Sequence, residues 1–349
     1  MLVSTLTRSI LIALASASVT ATALFTRTGQ SQSRVYGARY HVERTILLPG
    51  TALSDFLSID SRHHRLFLSR QDQVQVVDLD RDTVAYVIPN TPGVHGIAVS
   101  DDLDRAFTSN SGDTSVSILR LKTLELLGRV KATGAGPDAI LYDRRGARVL
   151  TFNEFDKNVT VIEPRSLAIL GTITLPGSAE SAVANNKGVV YVNIKDSGAV
   201  AVIDPVAMKI RLMWPISNCS KPHGLALAES DEQLFVACDD EIVSVNASTG
   251  RVVDRLHTGV MADQIALDVR RGLLFVPSRG QLYVIPTNRS GHMVVADSVP
   301  IQQPFNKVGV DARTGQAFVP TYTVHPASGN AATSNPLLTV TLLVIGNGG

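Results

Sequence analysis

The sequence predicts an all-β fold, a seven-bladed β-propeller with four antiparallel strands per blade, closed by the N-terminal strand completing the last blade. Three observations predict it. A short motif, a polar residue followed by alternating apolar ones, recurs at residues 55–60, 95–100, 138–143, 180–185, 223–228, 263–268 and 306–311 of the 349-residue chain. Successive copies start 40, 43, 42, 43, 40 and 43 residues apart, the length of one four-stranded blade. Each copy is followed by a turn rich in Asp, Arg and Gly and then by further short β-branched runs, without the 3.6-residue period of helical repeats.

The first residues stand apart. Arg8 precedes a 16-residue apolar run over 10–25, and Ala21, Thr22 and Ala23 supply the small residues that a signal peptidase needs. The run is short for a membrane span, so residues 1–23 read as a signal peptide, with an uncleaved N-terminal anchor as the alternative. Residues 24–37 form a Ser/Thr/Arg/Gly linker, the propeller domain occupies 38–349, and the protein is expected in the periplasm or secreted. Within each unit the second strand is a short run such as 105–109 or 233–237. The third alternates strictly (74–78, 159–163, 200–204), and a fourth such as 251–256 closes the blade. The seventh unit reaches its third strand at 342–345 and has no fourth, whereas residues 39–48 have no place in the first unit. Pairing that segment onto the last blade completes the ring and hides two strand edges.

Composition removes several classes. A formal net charge of +1 gives no basic face for duplex nucleic acid. Aromatics make up 5% with a single tryptophan, Trp214, which argues against tryptophan-rich propellers of the WD40 or quinoprotein type and against a base-stacking platform. Two cysteines exclude a disulfide-dense scaffold, and the sequence holds no covalent haem motif, Gly-x-Ser-x-Gly elbow, His-Glu-x-x-His helix or P-loop.

The first strand of every blade lines the central channel, so the seven leading residues are expected in one ring at one mouth: Asp55, His95, Asp138, Glu180, His223, Asp263 and Asn306. Such a ring suits a cation or a polyhydroxylated ligand, although polar residues at strand starts also cap turns. A carboxylate beside an imidazole raises its pKa or orients it as a ligand. Hairpin arithmetic puts a second set fifteen residues further on, across from the first: Arg70, Asn110, Asn153, Lys195, Cys238, Ser278 and Thr321. Asp55 is then expected to face Arg70, and Glu180 to face Lys195, pairs worth roughly 0.2–1 kcal/mol. That leaves Asp138 and Asp263, with His95 and His223, as candidate ligands for a divalent cation.

The same geometry puts Cys238 opposite His223, with Cys219 four residues before that histidine. In an exported protein a disulfide is expected, with a Cys2His metal site or two unpaired thiols as alternatives. In the seventh unit, residues 324–336 lengthen the link between second and third strands. This Ala/Ser/Asn/Gly-rich insertion carrying His325 is either a lid over the mouth or a tolerated surface loop.

Residues 222–227 (Pro-His-Gly-Leu-Ala-Leu), 234–237 (Leu-Phe-Val-Ala) and 200–205 (Val-Ala-Val-Ile-Asp-Pro) resemble the YVTN-type β-propeller repeat of YncE-like exported proteins. The resemblance runs from Ala38 to the C-terminus and departs from the repeat in units four and seven. It implies the fold and export, and leaves function to the ring. The preferred reading is a monomeric, non-enzymatic exported protein that binds a small ligand, a metal ion or a partner protein at the channel mouth. The competing readings are a metal-dependent lactonase-type hydrolase and a pure protein-interaction scaffold.

Overall fold

The period-2 runs pair as the repeat demands. The computed structural model describes residues 39–259, 262–287, 292–302, 305–325 and 337–348. They form seven four-stranded antiparallel sheets. The signal peptide and linker assigned from sequence lie outside the described residues, among which no helix is long and apolar enough to cross a membrane.

Each blade begins with an inner strand: Leu57–Asp60, Val94–Ser100, Pro137–Asp143, Ala179–Ala184, Leu225–Ala228, Ala266–Asp268 and Gly309–Asp311. The aspartate that ends most copies of the motif is a turn device. Asp143 accepts the backbone N–H groups of Arg145 (3.1 Å) and Gly146 (3.0 Å), and Asp268 those of Arg270 (2.9 Å) and Arg271 (3.0 Å). An aspartate that bonds its own backbone two and three residues on sets the tight turn into the second strand.

The apolar residues of the strands form seven clusters, one between each pair of adjacent blades. Phe67, Phe107, Phe235, Phe275 and Phe318 hold the same place in five second strands and are at most 1% exposed. A repeat fold buries its apolar surface in such nearest-neighbour interfaces, so no blade is stable without the next.

The ring closes as the sequence requires. His41–Leu48 pairs with Leu337–Gly346, from His41 opposite Gly346 to Leu48 opposite Val340, and becomes the outer strand of blade 7. Ile46 and Leu48 enter the cluster that joins blade 7 to blade 1, with Leu57, Leu66 and Leu68. The seventh hairpin is longer than the others, with strands Gln316–His325 and Leu337–Gly346. Val324 and His325, expected in a loop, are therefore strand residues, and His325 Nε2 lies 2.9 Å from Thr339 Oγ1. The rest of the insertion, 326–336, lies outside the described residues.

Cys219 and Cys238 are joined in a disulfide, which ties the segment entering blade 5 to the end of its second strand. With both sulfurs bonded, neither the thiolate metal site nor the pair of free thiols applies.

Two outcomes follow for stability. Leu48→Ala should cost about 2–5 kcal/mol in urea unfolding, whereas Leu47→Ala, at a 65% exposed position of the same strand, should stay within about 0.5 kcal/mol. Reduction of the disulfide, which spans 19 residues, should lower stability by about 3 kcal/mol, read as a fall in thermal midpoint on adding a reductant.

Candidate functional site: the charged ring at the channel mouth

The inner strands of blades 2, 3 and 4 each carry a bulge next to the leading residue, between Val94 and Ile97, Pro137 and Ile140, and Ala179 and Ala182. A bulge re-aims a side chain that regular pairing would hold in the sheet. Here it sends His95, Asp138 and Glu180 into the mouth. The residue after each ring histidine is glycine because the neighbouring blade is too close for a side chain. A Cβ on Gly96 would lie 2.8 Å from Asp138 O, and one on Gly224 3.0 Å from Ala262 O.

The leading residues meet there as a near-continuous chain of ion pairs. His95 Nδ1 is 2.5 Å from Asp55 Oδ2 and 3.3 Å from Asp138 Oδ1. His223 Nδ1 lies 3.0 Å from Glu180 Oε1 and 3.4 Å from Asp263 Oδ1, close enough for charge attraction but not aligned for a hydrogen bond. Lys307 Nζ joins Asp263 (2.9 Å) to Asp55 (3.3 Å), and Lys195 Nζ joins Glu180 (2.6 Å) to Glu154 (2.9 Å). Charge alternates around the mouth except at blades 3 and 4, where Asp138 and Glu180 are neighbours.

Below the ring lies a cavity of about 220 Å³ lined by Leu57, Ile97 and Ile265 together with the polar Ser58, Ser181 and Gln264. The Gln264 carboxamide spans it, accepting from Leu57 N (3.3 Å) and donating to Leu57 O (2.9 Å). Burial pushes the Asp138 carboxyl up to about 7; His95 partly offsets this, while the charges of Asp55, Glu180 and Glu154 add to it. Burial opposes ionisation of Asp55, Glu180 and Asp263 as well, but the histidines and lysines against them hold all three below the usual carboxylate range. Burial also disfavours the His223 imidazolium, yet Asp263 and Glu180 outweigh it and raise its pKa to about 9. The hydrogen bond to Asp55 raises that of His95.

Several expectations need correction. Asn306 does not head blade 7's contribution; the chain passes through a left-handed conformation at Asn306 (φ 57°) and Lys307 takes the ring place. Asn306 contributes its carbonyl instead, to Asp263 N (3.0 Å) and Gln264 N (3.1 Å). Arg70 does not face Asp55. It is 1% exposed and donates to Pro49 O, Gly50 O, Ala52 O and Gln75 Oε1. Asn110 and Asn153 are likewise spent inside their blades, on Ser115 and Ser117 and on Asn158 and Thr160. Of the expected cross-strand charge pairs, Glu180 with Lys195 is present. Asp263, expected to be free beside a neutral Ser278, is held by Lys307.

Sequence reasoning missed Lys307 and Glu154. A lysine directly after the leading residue was the available signal for the first. Glu154 follows the second strand of blade 3 and gave none. Beside it, Phe155 presents a 72% exposed ring on the same rim, packed against Gly136. The opposite mouth holds a recess of about 620 Å³ with Glu229, Asp231, Leu267 and Val269 on its wall.

No protein-family model matches the chain, and no curated protein matches it. Solved structures do. The RRP9 WD40 repeats align with a TM-score of 0.71 at 11% identity, over 86% of this chain and 97% of that one. A chain of the Mitotic Checkpoint Complex gives 0.69 at 13%, over 97% and 98%, and Kuenenia stuttgartiensis hydrazine synthase 0.67 at 13%, over 83% and 95%. At such identities the likeness is one of fold. The scarcity of tryptophan set the sequence apart from WD40 repeats, yet the blade architecture is theirs without the signature residues.

The ring makes stability depend on pH with a definite sign. An imidazole whose pKa rises from 6.5 to about 9 on folding stabilises the fold fully below pH 6.5. That contribution is lost as the pH climbs through 9. The raised Asp138 carboxyl acts the same way, with a cost that grows from about pH 4 to about 7. The lowered acids stabilise above about pH 4 and lose that contribution in stronger acid. The thermal midpoint should therefore peak between about pH 4.5 and 6.5 and fall toward pH 9. In His223→Gln the limb between about pH 7 and 9 should flatten.

Proposed function

We propose that this protein is a non-enzymatic, exported binding propeller whose ring face takes a small cationic ligand, a metal ion or a partner protein. The sector at blades 3 and 4 carries the reading. There Asp138, Glu154 and Glu180 gather at one rim with Lys195 between the two glutamates, and among the described residues no lysine pairs with Asp138. An incoming cation would meet a desolvated carboxylate at Asp138 and an exposed aromatic face at Phe155, which adds a weaker cation–π attraction.

Export is supported by the apolar N-terminal run, by the disulfide, and by the resemblance to YVTN-type repeats of YncE-like proteins. Partner binding is supported by the fold, since one chain of similar structure is part of the Mitotic Checkpoint Complex. A lactonase-type hydrolase is the second reading. It rests on Asp55, His95 and Asp138, each of which offers a ligand atom within 4.8 Å of the others. A divalent ion held there would polarise a lactone carbonyl and activate water.

A thermal-shift screen of divalent ions, polyamines and lysine- or arginine-rich peptides tests the proposal. Stabilising hits are expected with the unaltered chain, weakened at least about tenfold in Glu154→Gln or Phe155→Ala and retained in Glu229→Gln on the opposite face. Hits that map instead to Glu229 would overturn it. Turnover in a lactone panel, lost in His95→Gln, would replace it with the hydrolase.

A further inference from the structure

We propose that Asp55, His95 and Asp138 form a site for one divalent transition ion such as zinc, bound by His95 Nδ1 and one carboxylate oxygen from each acid. The inference rests on the ring face being the working face and names one ligand for it. Three adjacent blades supply the three donors, all within 4.8 Å of one another. Donors around zinc at about 2.1 Å sit roughly 3–3.5 Å apart, so the trio needs only small adjustments to share an ion.

Two further observations favour a cation at this trio. Asp138 is 9% exposed, and the one ion pair of its carboxyl among the described residues is with His95. The nearest donor, His95 Nδ1, is 3.3 Å away and committed to Asp55 at 2.5 Å. A buried carboxylate that shares its one charged partner with a second acid is costly unless more positive charge reaches it. On the far side of the imidazole, His95 Nε2 lies 3.1 Å from Ser111 Oγ, whose hydroxyl donates to Gly93 O at 3.1 Å. Ser111 therefore accepts the Nε2 proton. This is the outer-shell contact that leaves Nδ1 to face a metal.

The second histidine is the internal contrast. His223 also stands between two acids, but Lys195 is 2.6 Å from Glu180 and Lys307 is 2.9 Å from Asp263, so ammonium groups already fill the cation's place. At the first histidine Lys307 reaches Asp55 at 3.3 Å, and no lysine pairs with Asp138 among the described residues. Binding replaces the Nδ1 proton, which leaves to solvent, and the two carboxylates balance the charge of the ion. One imidazole with two carboxylates suits zinc or manganese better than calcium, which prefers oxygen alone.

The test is calorimetric titration of the metal-free, untagged chain with zinc chloride, joined to X-ray absorption of the loaded protein. One site is expected, with a nitrogen and oxygen shell and no sulfur. Affinity should fall at least about tenfold in Asp138→Asn and in His95→Gln and persist in Glu229→Gln. Absence of binding, or binding undiminished in both ring variants, would overturn the inference. So would loss in Asp263→Asn with retention in Asp138→Asn, which moves the ion to His223. Should a ring variant fail to fold, the absorption spectrum of the unaltered chain decides, because a sulfur-containing or all-oxygen shell excludes the site. Failure of zinc while a polyamine or peptide still depends on Glu154 would sink the metal and leave the binding reading standing.

Discussion

Seven strands converging on one axis leave their leading side chains nowhere to go but toward each other. At that crowding, like charges cannot stand side by side without cost, because each is partly desolvated and repelled by the other. The chain resolves this by alternating sign around the mouth, with two histidines and two lysines set among the acids. The shifts in ionisation, the glycines after the histidines and the bulges that aim three of the side chains all follow from that convergence.

The alternation fails at one point. Between blades 3 and 4 two acids are neighbours, and the lysine that answers them pairs with Glu180 and Glu154 rather than Asp138. Structural needs alone would be better met by a neutral side chain at Asp138, since a buried carboxylate that shares its only charged partner lowers stability at neutral pH. A residue that costs stability at a solvent-facing rim is where binding is to be sought. This asymmetry is invisible in the repeat, where Asp138 is one more polar leader among seven.

The architecture was legible because repetition is a global signal. The 40–43 residue period, the missing fourth strand of unit seven and the unplaced segment at 39–48 together require a closed ring. The cysteines were legible for the same reason, since spacing from the repeat leader sets their place on the blade. The site was legible only in outline. Counting fifteen residues along a hairpin identifies which backbones are opposite but not which way side chains leave them. Arg70, Asn110 and Asn153 accordingly turned into their blades. Lys307 was missed because one left-handed residue, Asn306, exchanges the roles of two neighbours, a local conformational event that no period records.

The closing strand pair also decides how the domain would respond to tension. His41 and Gly346 are opposite each other at one end of an antiparallel ladder, so the two ends of the propeller leave it side by side. A pull applied to both would load the ladder from that end and part its hydrogen bonds one after another, as a zipper opens, rather than shearing all of them at once. Blade 7 would then come apart at low force, and its loss would uncover the apolar faces of blades 6 and 1 that pack against it. Tethered by one end only, the same ring would carry no load across its seam.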